Sequence, residues 1–590
     1  MIGPELIFAS TTPPCVRWVA SRPIFTAINE DIGFAIAVIS MTLLRPARRH
    51  VVRTLKCRTL STRSSSTRPK QANAFISWNS ERQWTKPDPQ SLINAGLSEL
   101  LQKHPMQDES PLLAVKDNFC TADLPTTCGS HALQDYTSPY EATVVSLLRQ
   151  RGHIVSGKTN MDEFGMGSHS THSFLGPVVQ RFKGADGKEI AYSAGGSSGG
   201  SALAVKQRLT KFALGTDTGG SVRLPAAYCG IVGFKPSYGM ISRWGVIDYA
   251  NSLDTVGLFA RNVYGVKKMF SKSVCRLCNL ASSDLCLDSV QFYDKQDPTA
   301  IPPSSIRRLQ KASPRTPGES PDNKPWKVGV PIEYNIAELS PLVKQSWVDA
   351  LRALKHLGHK IVPISLPSTK AALSAYYVLA PAEAASNLAK YDGVRYGARA
   401  NGTDGQGGVL FSQTRSEGFG SEVKRRILLG SYTLSADAID NYFIKAQKVR
   451  RLVQREFNDV FNTPHPLLDV TLESALASGV DWEASPGVDR RSESAVQEKV
   501  DFILCPTAPT TPPRLEDIAE QTPVESYIND VFTVPASMAG LPAISVPWGE
   551  NPSGDPSKNV GLQIIGQFGR DRQVLGIATR LQRMQHAAED

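Results

Sequence analysis

The chain has 590 residues, with 65 Lys and Arg against 55 Asp and Glu and 41% hydrophobic residues. That length and apolar fraction exclude a disordered or fibrous class and leave room for a sizeable core. The net charge of +10 points to nucleic acid only until it is located: residues 1–80 hold 11 Lys/Arg and 3 Asp/Glu, so the remaining 510 are close to neutral and offer no basic nucleic-acid surface.

Residues 41–70, MTLLRPARRHVVRTLKCRTLSTRSSSTRPK, contain nine Lys/Arg, many Ser/Thr and no acid. This is the composition of a mitochondrial transit peptide, able to wind into a short amphipathic helix; a basic nucleic-acid arm is the competing reading. We therefore take 1–72 as an N-terminal extension that is disordered or removed, with Met1 or Met41 as its start. The apolar run 32–44 is too short to cross a bilayer comfortably, and no other membrane span is expected. The nine cysteines lack framework spacing, which predicts free thiols in a reducing compartment. Cys275 and Cys278 form a CxxC with Cys286 beyond it, but no second pair or histidine completes a zinc site, so no metal is expected.

Residues 73–103 read as a helical lead-in, with Leu92, Ile93, Leu97, Leu100 and Leu101 at helical spacing. PLLAVKDNFC follows, an apolar run typical of a buried strand that delivers Lys116 at its end. Burial lowers a lysine pKa, and a neutral amine can take a proton; the plain alternative is a strand-end lysine reaching solvent. ATVVSLLRQRGHIVSGKTN, 142–160, predicts a helix closed near Gly152 and then a strand, the alternation of a mixed α/β sheet. In GSHSTHSF, His169 and His172 read as polar loop residues rather than catalysts.

The chemistry concentrates in 194–235. GGSSGG at 195–200 and DTGGS at 217–221 are joined by an apolar run long enough for one helix or a helix-turn-strand. Glycines beside a serine allow backbone closed to other residues and leave amides uncovered, so the serine is exposed and an oxyanion can be held. No GxxxxGK[ST] occurs and no GxGxxG follows a strand pattern, which disfavours phosphate binding. Leu203, Val205, Phe212, Leu214, Val222 and Ile231 interleave the glycines, which a solvated linker would not show. Two such clusters make Lys116 the candidate base.

Farther on, 271–326 turns polar and Pro/Ser-rich and is expected as a loop insertion, after which WKVGVP resumes as a strand at 326. A second insertion, about 463–498, precedes the strand FILCPTAP at 502–509.

In order and at family spacing, AVKDNF, GGSSGGSA, GTDTGGSVRLPAA and GIVGFKPSYGMIS resemble the amidase signature family. The resemblance implies a single α/β domain over 73–590, built on a central mixed twisted sheet covered by helices on both faces. It implies a Ser-Ser-Lys triad: Ser221 as nucleophile, Ser197 as the bridging serine on a cis peptide bond, and Lys116 as base. Ser198 is the adjacent competitor for the relay. The amides of Thr218, Gly219, Gly220 and Ser221 would form the oxyanion hole, and MDEFGMGS, 161–168, would pack around the site.

SEGFGSEVKRRI and the flanking segments between 371 and 461 resemble the glutaminase branch of that family, the A-type subunits of tRNA-dependent amidotransferases. A glutamine pocket needs a cation for the α-carboxylate and an anion for the α-ammonium. By resemblance these are Arg426 and Asp530; taken alone, Arg426 would be a solvated helix position and Asp530 a cap or turn. The branch implies ammonia for conversion of Glu-tRNA(Gln) to Gln-tRNA(Gln), a B-type tRNA-binding partner that uses ATP and Mg²⁺, and a small third subunit of C or F type. This chain shows no ATP site, and the matrix of the mitochondrion is the expected compartment. Trp548 is bulkier than the small residue expected there. The rivals are a stand-alone amidase of small or fatty amides and a catalytically silent assembly subunit.

Overall fold

The computed structural model describes residues 73–78, 112–270, 293–312, 325–401, 409–467, 498–549 and 551–587. All of these lie in one compact unit, Pro46–Asp590. The expected leader, the CxxC with Cys286, and most of the second insertion lie outside the described residues.

Thirteen strands are described: β1 Phe75–Trp78, β2 Leu112–Lys116, β3 Ile154–Thr159, β4 Val179–Lys183, β5 Glu189–Ser193, β6 Phe212–Asp217, β7 Val232–Lys235, β8 Thr255–Ala260, β9 Lys327–Pro331, β10 Lys360–Ile364, β11 Phe502–Pro506, β12 Ala543–Pro547 and β13 Gly561–Gly566. Eleven form one sheet, in the order β1-β3-β2-β6-β8-β7-β12-β13-β11-β9-β10, and β4 pairs with β5 as a separate hairpin. The sheet is mixed. β3, β2 and β6 run parallel on one side and β11, β9 and β10 on the other, with antiparallel pairs between the two groups. This is the mixed α/β sheet expected.

β2 is buried at all five positions, which its unbroken Leu-Leu-Ala-Val run explains: a strand inside a parallel group is covered on both faces. Ala114 joins a core cluster with Ala202, Leu203, Val205, Ala213 and Phe259, so helix Gly199–Lys206 lies over β2 and β6. Side chains alternate along a strand, and Lys116 therefore leaves β2 on the side of that helix, toward its N-terminal end. The run joining the two serine clusters is thus a helix, a turn and strand β6.

Two expectations fail locally. Within 73–103, residues 75–78 form β1, which pairs antiparallel with β3; Phe75-Ile-Ser-Trp is an aromatic and β-branched run that completes a sheet edge, and 79–111 lie outside the described residues. Within the first insertion, Pro303–Ala312 is a helix instead of loop. Its leading proline suits a first helical turn, and Leu309 is buried, in contact range of the Gly569 backbone.

Helix Thr369–Asn387 packs against helices Ser421–Thr433 and Lys445–Val460. The first contact is backbone to backbone, since a Cβ on Gly430 would collide with the Pro381 carbonyl. Gly430→Ala is expected to push the 421–433 helix outward and to destabilise the fold by about 1–3 kcal/mol, the usual cost of overpacking. Denaturant unfolding checks this, and an unchanged midpoint would contradict it.

Candidate active site

Lys116 is fully buried. Its Nζ donates to Ser197 Oγ at 2.7 Å and to Thr216 Oγ1 at 2.8 Å, and Asn118 Nδ2 also donates to Thr216 Oγ1. Desolvation lowers its pKa from 10.5 to about 7; Asp162, Asp254 and Asp217 pull the other way without prevailing. The lysine is therefore divided between amine and ammonium near neutral pH, the state a proton acceptor needs. The next residue anchors the strand end: Asp117 pairs with the buried Lys158 at 3.1 Å and accepts from the Thr127 amide at 2.9 Å.

Ser197 sits at the entry to helix Gly199–Lys206. Gly195 and Gly196 have φ of 76° and 50°, and the chain turns there through left-handed backbone that glycine alone takes cheaply. The expected cis peptide at Ser197 is not found: among the described residues every peptide is trans. Left-handed backbone at Gly195 and Gly196 supplies the turn that brings Ser197 to Lys116. Ser198 does not compete for the amine, because its hydroxyl donates to the Thr216 carbonyl at 3.2 Å. The 161–170 loop holds this segment: Gly196 N donates to Ser168 O, Asp162 N donates to Ser197 O, and Ser170 Oγ bonds Gly196 O.

Ser221 is half-buried, and its Oγ accepts from the Ser197 amide at 3.4 Å. Its loop is clamped from both ends. Asp217 and Arg223, both fully buried, pair at 2.7 Å, and the Asp217 carboxylate also accepts from the amides of Val222 and Arg223. Arg223 spends its other donors on Thr533 O, Gln563 Oε1 and Ser537 Oγ. Burial pushes the Asp217 carboxyl up, but Arg223 outweighs it and holds the group ionised, below its ordinary value. Gly219 lies against the Tyr376 ring, and a side chain on Gly220 would strike Thr533. Among the described residues the amides of Gly219, Gly220 and Ser221 meet no acceptor.

Arg426 and Asp530 are brought to the same place. Arg426 is only 3% exposed, which excludes the solvated-helix reading. Its Nε donates to Glu422 Oε1 at 2.8 Å and its Nη1 to the Tyr249 hydroxyl at 2.7 Å, with the rings of Tyr377 and Tyr527 beside the guanidinium at 5.3 and 5.4 Å. Asp530 closes a turn over Ile528–Asp530 and accepts from Ser168 Oγ at 2.8 Å and the Tyr377 hydroxyl at 3.1 Å. Burial raises its pKa to about 6. A Cβ on Gly220 would stand 3.1 Å from Asp530 Oδ1, so the carboxylate borders the Ser221 loop.

Several participants carry little signal in the sequence. Asp217 and Arg223 bracket the serine loop six positions apart in an apolar setting, a pairing that could have been read. Glu422 stands four before Arg426, the spacing of a helical ion pair. Tyr249, Tyr377 and Tyr527 come from three distant segments and give no local signal. His169 is buried and bonded to Ser193 Oγ and Asn529 Nδ2; burial drops its pKa to about 3, so it is a neutral structural residue. Trp548 is half-buried at the end of β12, its amide donating to Val560 O. Cys120, Cys128, Cys229 and Cys505 are buried free thiols. Among the described residues no group of three or more His, Cys, Asp or Glu could hold a metal, and no helix is long and apolar enough to cross a membrane.

The family model described as Amidase matches residues 111–478 and 483–575. The A-type subunit of the mitochondrial glutamyl-tRNA(Gln) amidotransferase of Coccidioides posadasii is 52% identical over 480 residues, covering 81% of this chain and 89% of that protein. The corresponding protein of Podospora anserina is 53% identical over 477 residues, covering 79% and 88%. Among solved structures, the A-type subunit of the glutamyl-tRNA(Gln) amidotransferase of Thermotoga maritima superposes with a TM-score of 0.56 at 31% identity, covering 83% of this chain and 90% of that one.

Removing one partner of a buried pair leaves the other charge uncompensated. Arg223→Met is expected to destabilise the protein by about 3–5 kcal/mol. Equilibrium unfolding measures this; a loss below about 1 kcal/mol, the scale of an exposed pair, would show that the clamp is not required.

Proposed function

The chain belongs to the amidase family, and from that membership we propose that it is the glutamine-hydrolysing subunit of a tRNA-dependent amidotransferase that converts Glu-tRNA(Gln) to Gln-tRNA(Gln) for mitochondrial translation. It is a carbon–nitrogen ligase component with glutamine as amido donor. The observation that carries this reading is the meeting of a buried cation and a buried anion, Arg426 and Asp530, through Tyr377 beside the Ser221 loop. Glutamine is a primary amide bearing one negative and one positive group, and an acyl channel for fatty amides would have no use for either charge.

In the proposed reaction Ser221 Oγ attacks the γ-carboxamide carbon as its proton passes to Ser197 Oγ, which gives its own to the neutral Nζ of Lys116. The 2.7 Å contact from Lys116 supports the second transfer. The Ser221 hydroxyl is held next to Ser197 through the amide, and the first transfer needs it to turn toward Ser197 Oγ. The carbonyl electron pair moves onto oxygen, where the amides of Thr218, Gly219, Gly220 and Ser221 receive it. Collapse of the adduct expels the amide nitrogen, protonated from Lys116 through Ser197, as ammonia. Water then resolves the γ-glutamyl ester by the same relay run with water as nucleophile, releasing glutamate.

The ammonia goes to a partner of B type, which binds the tRNA and activates its glutamyl ester with ATP and Mg²⁺, and a small subunit of C or F type completes the assembly. Residues 73–590 serve as one amidase domain with insertions near 271–326 and 463–498, and 1–72 carries the leader to the mitochondrial matrix. The family match over 111–575 and the acid-free basic stretch at 41–70 support this division.

Two outcomes test the reading. Arg426→Ala in the assembled complex is expected to raise KM for glutamine by about 10- to 100-fold, the loss of a charge-assisted contact, while Ser221→Ala abolishes ammonia release; steady-state ammonia assays read both. Turnover of simple amides by the lone chain, indifferent to Arg426, would instead identify a free-standing amidase. The second outcome concerns pH. Lys116 must be neutral to accept a proton, and its pKa lies near 7. Below that value kcat/KM should fall about tenfold per pH unit, and above it level off, provided chemistry limits the rate. Asp530, ionised above about 6, steepens the acid side. A profile flat from pH 6 to 8 would exclude Lys116 as the base.

A further inference from the structure

Glu422 is a buried charged residue in direct contact with Arg426 that the proposed reaction does not use. It is 3% exposed and lies one helical turn before Arg426 on helix Ser421–Thr433. One oxygen, Oε1, accepts from Arg426 Nε at 2.8 Å and from the Tyr527 hydroxyl at 3.1 Å; the other pairs with Arg425. Burial alone would push this carboxyl up, but Arg426 and Arg425 outweigh it and hold it down at about 2, so it is ionised at every working pH.

A guanidinium offers five N–H groups in a rigid plane and can grip a carboxylate by its Nε/Nη2 edge or by its Nη1/Nη2 end. Here Nε is committed to Glu422 and one Nη1 hydrogen to Tyr249. Among the described residues one hydrogen on Nη1 and both on Nη2 have no partner, which leaves the end of the plane, away from Nε, to meet a carboxylate. The plane cannot swing away to offer its side edge, because Tyr249, Tyr377 and Tyr527 flank it at 5.7, 5.3 and 5.4 Å. Tyr527 itself stacks on Tyr377 at 3.9 Å, and Tyr377 donates to Asp530. Glu422, through Tyr527, thus ties the orientation of the cation to the placement of the anion.

We propose that Glu422 is a positioning residue for substrate selection: it occupies the Nε edge of Arg426 so that the α-carboxylate of glutamine is received end-on, at a fixed distance from the Asp530 carboxylate. Glu422 does not touch substrate. It also balances the buried charge of Arg426. This proposal rests on the glutamine reading of the site.

The test uses the full chain assembled with its partner subunits, in a Ser221→Ala background that prevents turnover. Calorimetric Kd values are taken for glutamine and for glutamine methyl ester, which keeps the ammonium and lacks the carboxylate charge. With Glu422 present, glutamine should bind at least about tenfold more tightly than the ester. Glu422→Ala should weaken glutamine by about tenfold and leave the ester within about twofold. Glu422→Gln, whose amide oxygen can still accept from Nε, should restore most of that loss. An unchanged glutamine Kd in Glu422→Ala overturns the proposal, as does equal weakening of both ligands, which would make Glu422 a general structural residue. If Glu422→Ala does not fold, Glu422→Gln decides: discrimination lost there overturns a positional role, and discrimination retained supports it. If the starting protein does not discriminate glutamine from its ester, the glutamine reading itself has failed, and the roles of Arg426 and Asp530 fail with it.

Discussion

The site depends on an amine kept out of water. Lys116 stands at the end of an internal strand, wholly buried, with two hydroxyls as its hydrogen-bond partners. An unfolded chain keeps this group protonated up to about pH 10.5, whereas the folded chain releases the proton near 7. Holding it unprotonated costs folding about 4–5 kcal/mol at neutral pH, and the cost fades as pH rises through that window, because the unfolded state is then also losing its proton. A domain with a large core can carry such a deficit. Much of the architecture around β2 serves to maintain it: strands on both sides, the 199–206 helix above, and the Asp117–Lys158 pair that stops the strand end from opening.

The second constraint is the shape of two glycine-rich turns. One presents Ser197 to the amine, and the other holds Ser221 beside Ser197. Neither is rigid by its own chemistry, since glycine makes a chain more free. Rigidity comes from charges buried around them. The Asp217–Arg223 pair closes the Ser221 loop from inside and ties it through Thr533, Ser537 and Gln563 to the C-terminal part of the chain. The same part supplies Asp530. The Ser221 loop and the Asp530 carboxylate are therefore fixed relative to one another by a few shared contacts.

How much of this is legible in the sequence follows from where each signal lies. Strand β2, the 143–150 helix, β3 and the helix-strand pair between the serine clusters are readable because apolar period and glycine position agree over short stretches. Lys116 can be named as a candidate base because an apolar run delivers it into the interior. β1 is hidden in a stretch that reads as helix, since four residues too few to show a period become a strand only by pairing with β3. The 303–312 helix is masked by the Pro/Ser-rich composition around it. The trans backbone at Ser197 departs from what the family resemblance implies, and no local pattern in the sequence marks the difference. The tyrosines around Arg426 come from positions 249, 377 and 527, and no local pattern announces that they meet.

In the proposed reaction Ser221 carries a γ-glutamyl group taken from glutamine. Rapid acid quench of the complex during turnover, followed by peptide mass spectrometry, tests it most directly. A γ-glutamyl ester is expected on the peptide containing Ser221 when glutamine is the donor, and no acyl ester there when butyramide replaces it. An adduct on another residue, an equal yield of acyl ester from both amides, or none with glutamine when hydrolysis of the ester limits turnover would contradict it.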